Sequence, residues 1–375
     1  MSAEPRVRVC HVSTVHKPFD TRIFHKECRS LAAAGYDVHW VVRNPDDVPE
    51  RDGVTLHRIP IFRRRLFRMT VGVALALLRV IRLRPGLVHL HDPELLPLGL
   101  VCRTLGMRVI FDMHELVARQ LEDKTYMGGT AIRWAGRFYR WMERRAMQRF
   151  DGIVLAEDGY VPYIEEHYPA HRAKAHVVRN YPLLGKAADV PAAPRTHDGP
   201  LVVYTGGLTR IRGIAPLIQA VGQVENARLL LAGPWESEAY RAECLGLPEA
   251  GRVDDLGFLS LEDVFATLKS ADVGVAMIAP LPNYLTSRPV KVYEYMSCGI
   301  ATVISDFPGW QETFGDVSWF ATFEDVPSTA AAIRRALDDP DRAERIERAR
   351  ARVQAEWNWD VEQERLLELY RRILG

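Results

Sequence analysis

Four short stretches of the chain hold residue types that could do chemistry. The first, residues 288–305, reads as a loop, a short helix and a strand, and carries Lys291 and Glu294 three positions apart. Residues at that spacing share one face of a helix. Lys291, with the backbone amides of the helix start around Val290 and Tyr293, could hold a diphosphate, and Glu294 could accept hydrogen bonds from ribose hydroxyls. Gly299 would end the helix. Taken singly, each charge could be no more than a solvated helix residue. In the second stretch, 204–213, Gly206 and Gly207 follow a strand-like run and precede a helical one, with Arg210 and Arg212 between. That is the form of a phosphate-binding turn.

The third is a pair of segments, His89-Leu90-His91-Asp92-Pro93 and Asp112-Met113-His114-Glu115, each at the end of an apolar run. Adjacent parallel strands would bring them together. His, Asp and Glu are all metal ligands, yet His-x-His spacing alone is unspecific and no third segment of comparable strength appears, so no metal is expected. Asp92 before Pro93 could simply cap a helix. The fourth, residues 13–27, is a polar turn after the first strand, holding Asp20 and Arg22, which could form a local ion pair.

The elements that must position these residues alternate. Strand-like runs at 7–12, 38–42, 56–61, 87–90 and 109–112 are separated by helical patterns such as 26–34, and a new series starts at 201–204 and continues at 228–232, 254–258, 273–277 and 302–305. This rhythm predicts an α/β protein with parallel sheets and crossover helices. A chain of 375 residues exceeds the roughly 250–300 at which one core stops growing, so two domains are expected. We place the first at 1–182, a Pro-rich linker at 183–199, the second at 200–357 and a terminal helix at 358–375, with Leu366, Leu367, Tyr370 and Ile373 at helical spacing. In such sheets ligands bind beyond the carboxyl ends of the strands, where all four stretches fall.

Composition excludes several classes. Lys and Arg (49) balance Asp and Glu (48), giving a net charge of +1 and no general reason to expect nucleic acid. The five cysteines are scattered without paired spacing, which predicts reduced thiols and a cytoplasmic location. The N-terminus has no signal-peptide pattern, and the apolar run near 71–78 is too short to span a bilayer. Arginines interleave with aromatic residues between Arg133 and Arg149, and Arg63, Arg64, Arg65 and Arg68 precede the apolar run. Such stretches can lie on the inner, anionic face of the cytoplasmic membrane.

Together these segments resemble the retaining nucleotide-sugar glycosyltransferases of the GT-B type, family 4-like (glycosyl transferases group 1), over nearly the whole chain. The resemblance implies two Rossmann-like domains with parallel sheets facing across a cleft, the donor on the second and the acceptor on the first, with the terminal helix crossing back. It implies a hexosyltransferase acting with retention, without a metal or other cofactor, on a nucleotide diphosphate sugar, UDP-linked rather than GDP-linked. The acceptor would be a hydroxyl of a glycan, a lipid-linked sugar or a small molecule. His114 aligns with the family histidine that faces the donor sugar, and with Glu115 and Asp20 makes the expected catalytic set. The family carries two glutamates eight positions apart; Glu294 matches the second, and Thr286 stands at the first. Gly207 stands where Arg is usual and Arg212 where Lys is common. Two other readings follow from the same residues: a nucleotide-sugar epimerase or hydrolase, and a catalytically silent nucleotide-sugar-binding subunit.

Overall fold

The computed structural model describes residues 6–43, 49–118, 130–185, 190–195 and 197–375. It divides into two compact units, Met1–Asn180 with Asp360–Gly375, and Tyr181–Trp359.

The first unit is built on eight strands: β1 (Arg8–Val12), β2 (Asp37–Arg43), β3 (Glu50–Arg51), β4 (Val54–Ile59), β5 (Leu87–Leu90), β6 (Arg108–Met113), β7 (Gly152–Leu155) and β8 (Ala175–Val177). Their order is β3-β4-β2-β1-β5-β6-β7-β8. All pair in parallel except β3 with β4. β5 and β7 are buried along their whole length, as strands covered on both faces by crossover helices must be. The second unit has six: β9 (Leu201–Thr205), β10 (Arg228–Ala232), β11 (Val253–Gly257), β12 (Val273–Ala276), β13 (Ala301–Ser305) and β14 (Trp319–Ala321), in the order β11-β10-β9-β12-β13-β14 and all parallel. The strand order reverses between β1 and β5 in one sheet and between β9 and β12 in the other. At such a reversal successive crossovers leave in opposite directions and open a crevice above the strand ends.

The ten strands expected from sequence are present, with ends shifted by a residue or two. β3, β7, β8 and β14 are additional; they are two to four residues long, too short to show a period. The stretch expected as a linker falls within the second unit. Leu184 and Val190 pack on its core, Ala193 N–H donates to the Ala266 carbonyl at 2.9 Å, and Arg195 pairs with Asp272 at 2.9 Å; residues 186–189 and 196 lie outside the described residues. The terminal helix, Trp359–Leu374, belongs from Asp360 on to the first unit and buries Leu366, Leu369 and Tyr370.

Candidate functional site

In the second unit β9 ends at Thr205 and the chain turns at Gly206, whose φ of 116° suits only glycine. Gly206 N–H donates to the Ala232 carbonyl at the end of β10 at 2.8 Å. A Cβ on Gly233, just beyond, would lie 2.0 Å from the Gly206 oxygen. Two glycines thus let the two turns touch. Beneath them lies Lys291, in the first turn of the helix Val290–Ser297. Its Nζ donates to Tyr204 Oη at 2.7 Å and sits 3.9 Å from the centre of the Tyr204 ring. Tyr204 Oη in turn donates to the Gly207 carbonyl at 3.0 Å. A Cβ on Gly206 would stand 2.9 Å from Lys291 Nζ, so the turn and the amine are packed against each other. Burial, then the charge of Arg212, pushes the Lys291 amine well below the ordinary lysine range, with Glu294 opposing. A cation held at such a cost is released from it by an incoming anion.

Arg212 belongs to the same constellation: its guanidinium lies 5.4 Å from the centre of the Tyr284 ring and its charge acts on both Lys291 and Tyr204. Glu294 follows Lys291 by one helical turn and is half-buried. Val290 opens the helix, whose third amide, Val292 N–H, donates to the Pro289 carbonyl at 3.0 Å, leaving the amides of Val290 and Lys291 at the helix start. Arg210 is differently engaged. It donates to Glu243 at 2.8 Å and lies over the Tyr240 ring at 4.4 Å, anchoring the turn to the helix Glu238–Leu245. Tyr293, expected with the donor-binding residues, is 1% exposed and packs among Tyr181, Phe314 and Trp357. Two residues after Lys291, it falls on the opposite helix face, which here is core. Thr286 is exposed at the end of the short helix Pro282–Leu285.

In the first unit, the ends of β1, β5 and β6 gather a buried polar cluster. Asp112 accepts from Arg22 Nε at 3.1 Å and from Nη2 at 3.0 Å, and Arg22 Nε also lies 3.0 Å from Glu27 Oε1. Burial works against the Asp112 charge, but Arg22 and His114 outweigh it and hold Asp112 well below the usual carboxylate range. His114 Nε2 lies 3.3 Å from Asp112 Oδ2 and 3.2 Å from His91 Nδ1. Its ring is part-exposed, while Glu115 beside it is exposed. Burial drives His91 down to about 4, against the pull of Asp112, so the imidazole next to His114 is neutral. Asp20 caps the helix that begins at Ile23: its Oδ1 accepts from Arg22 N–H at 2.9 Å and Ile23 N–H at 3.0 Å. The expected Asp20–Arg22 pair is therefore a backbone cap, and the Arg22 side chain goes to Asp112 and Glu27. This segment, Ile23–Cys28, is wound wide, with Glu27 N–H reaching the Arg22 carbonyl five residues back. Such widened turns often aim side chains at functional sites.

Sequence placed Asp112 in a candidate segment and Tyr370 on an amphipathic helix, but gave no site role to His11, Glu27 or Tyr370. Their signal is register: β1 and β5 set His11 opposite His89, and no local spacing reveals a partner 78 positions away. His16 and Asp92 join the rim, with Nδ1 3.1 Å from Asp92 Oδ1, while Asp92 Oδ2 accepts from Thr14 N–H at 2.6 Å.

Comparison with known proteins agrees with this architecture. Residues 21–181 match the profile of a glycosyl transferase 4-like domain and residues 199–339 that of glycosyl transferases group 1. The chain is 25% identical to alpha-maltose-1-phosphate synthase of Mycolicibacterium smegmatis, over 69% of this chain and 73% of that one. The fold is similar to that of sucrose-phosphate synthase from Thermosynechococcus elongatus, with a TM-score of 0.76 at 20% identity, over 98% of this chain and 99% of that chain. It is also similar to that of Anabaena HepE in complex with UDP and glucose, with a TM-score of 0.73 at 14% identity, over 98% and 100%. By its paired domains and its fold, the chain belongs to the GT-B glycosyltransferases, in the family that joins a glycosyl transferase 4-like domain to a group 1 domain.

Proposed function

We propose that this glycosyltransferase moves a hexose from a nucleotide diphosphate donor, UDP-linked, to an acceptor hydroxyl with retention of anomeric configuration. The observation that carries the reading is the Lys291–Tyr204–Gly207 relay beneath the Gly206 turn. There a diphosphate would meet Lys291, Arg212 and the amides at the start of the helix Val290–Ser297, and Glu294 would accept from the ribose. As the bond from the anomeric carbon to the diphosphate breaks, negative charge grows on the leaving oxygen, and Lys291 and Arg212 stabilise it. The anomeric carbon becomes oxocarbenium-like, the acceptor hydroxyl attacks on the face the diphosphate leaves, and its proton passes to the departing diphosphate oxygen. In the first unit, His114, oriented by Asp112 and by neutral His91, is assigned to the transferred sugar, with Glu115 beside it. The UDP assignment draws support from the UDP-bound relative of like fold.

The acceptor we favour is lipid-linked, because the helix Thr130–Arg149 presents a membrane-like face. Trp134, Phe138 and Trp141 follow one another at helical spacing and are 70%, 61% and 50% exposed. Arg137 and Arg145 stand over the Trp134 and Trp141 rings. The acid in this stretch, Glu143, is buried under the hydroxyls of Tyr163 and Tyr168, so the outer face is aromatic and cationic, as interfacial helices are. No described helix is long and apolar enough to cross a membrane. Calorimetric titration with UDP-, GDP-, ADP- and TDP-linked sugars tests the donor. Selective binding of a UDP-sugar supports the reading, and binding of none, or of another base alone, overturns it. Cosedimentation with anionic vesicles at low salt, lost in Trp134→Ser with Phe138→Ser, tests the membrane face.

A further inference from the structure

Behind His114, and away from its exposed edge, the first unit holds four side chains of which only His91 touches a residue assigned to the transfer. His11 on β1, His89 on β5, His91 just after β5 and Glu27 on the wide helical turn are each fully buried or within 1% of it. One donor atom from each lies within 4.8 Å of the donor atoms of the other three. His11 Nδ1 and His91 Nε2 are 2.9 Å apart, and Glu27 Oε2 stands 3.9 Å and 3.8 Å from them. Tetrahedral zinc with metal–nitrogen bonds of about 2.0–2.1 Å sets its ligand atoms about 3.4 Å apart, the middle of that range.

The outer contacts have the form that metal sites need. A ligating histidine usually gives its second ring nitrogen to an oxygen or a polar partner, which fixes the tautomer. His89 Nδ1 and His11 Nε2 both meet Tyr370 Oη, at 2.8 Å and 3.1 Å. His91 Nδ1 lies 3.2 Å from His114 Nε2 and 3.6 Å from Asp112 Oδ2. Glu27 Oε1 faces Arg22, leaving Oε2 toward the imidazoles. Of the inner atoms, His11 Nδ1 and His91 Nε2 face only each other across the site, while His89 Nε2 and Glu27 Oε2 have no hydrogen bond, although they are sealed from water. A buried polar atom left unpaired destabilises the fold. The neighbouring set of His91, Asp112 and His114 is a poorer candidate, since both Asp112 oxygens already accept from the Arg22 guanidinium.

We propose that His11, His89, His91 and Glu27 form a closed, four-ligand site for a divalent transition-metal ion, zinc by the chemistry of three imidazoles and one carboxylate. With four protein ligands and no open position, the ion is structural. It ties β1, β5 and the wide helical turn together and, through Tyr370, docks the terminal helix. This departs from the sequence expectation of no metal, which saw His89 and His91 but not the two ligands that register and helix winding supply.

The test uses the full chain made without a histidine tag. Elemental analysis after gel filtration should find one zinc per chain. Protein stripped with a strong chelator should melt at a lower temperature, recover with zinc but not magnesium, and take one equivalent of Co²⁺ with the intense visible bands of a tetrahedral centre. His89→Leu, which fills the volume and removes the unpaired nitrogen, should lose those bands. A chain that carries no stoichiometric metal, whose melting ignores the chelator and zinc, or whose Co²⁺ shows only weak octahedral bands overturns the proposal. Because these readouts need no nucleotide, they stand or fall apart from the donor reading.

Discussion

Replacing Lys291 by methionine keeps most of the stem that packs against Tyr204 and removes the ammonium. A hydrogen bond to a charged group contributes about 1.5–3 kcal/mol, and at 1.4 kcal/mol per decade this is about a 10- to 150-fold rise in the dissociation constant for the UDP-sugar. The fold should not suffer. Tyr204 Oη loses its Lys291 donor but still donates to the Gly207 carbonyl. The amine is held well below the ordinary lysine range chiefly by burial, so a protonated Lys291 costs the folded state something. For a base whose folded value is lowered, the unfolded chain binds more protons, and stability rises with pH from the folded value up to the ordinary lysine range. At neutral pH the variant should therefore melt at or above the temperature of the parent, while calorimetry shows the loss of affinity. Affinity within about threefold of the parent, a change far below one charged hydrogen bond, would refute the assignment, as would a large drop in melting temperature.

Several further outcomes follow from the same geometry. Donor binding should take up a proton above the lowered Lys291 value, because the diphosphate favours the ammonium; affinity should fall as pH rises through that window, and titration in buffers of different ionisation heat should detect the proton. A sugar nucleotide is the right probe, since its diphosphate does not itself titrate near neutrality. Tyr204→Phe removes the relay hydroxyl and should weaken donor binding about 3- to 10-fold, the worth of one neutral hydrogen bond. Gly206→Ala sets a methyl 2.9 Å from Lys291 Nζ at a φ of 116°, and should cost about 1–3 kcal/mol of stability, read by chemical denaturation, and abolish measurable donor binding. His114→Ala should cut turnover far more than donor affinity; equal loss of both would return His114 to a structural role.

The parts of the fold with a long enough signal were legible in the sequence. Ten strands, the change from one series to the next and the final helix all follow from apolar period and turn residues. The turn from Gly206 to Arg212 and the helix start at Val290 were each legible as local features, and the structure brings Lys291 Nζ against the Gly206 turn. What periodicity missed is what the third dimension decides. Tyr293 lies two residues after Lys291, yet the helix turns it into the core. Asp20 looked like one half of an ion pair, but backbone amides claim it, and Arg22 reaches Asp112 instead. His11 and Tyr370 join across 359 positions, a distance at which no motif operates.

The central claim is tested most directly by following UDP-hexoses by proton NMR in the presence of the whole chain, without an acceptor and then with candidate acceptor alcohols. The account predicts that one UDP-hexose is consumed, that UDP appears, and that the sugar first emerges, on water or on acceptor, in the anomeric configuration it had in the donor. A folded protein that consumes none of these donors, or that releases the sugar first in the opposite configuration, would contradict it.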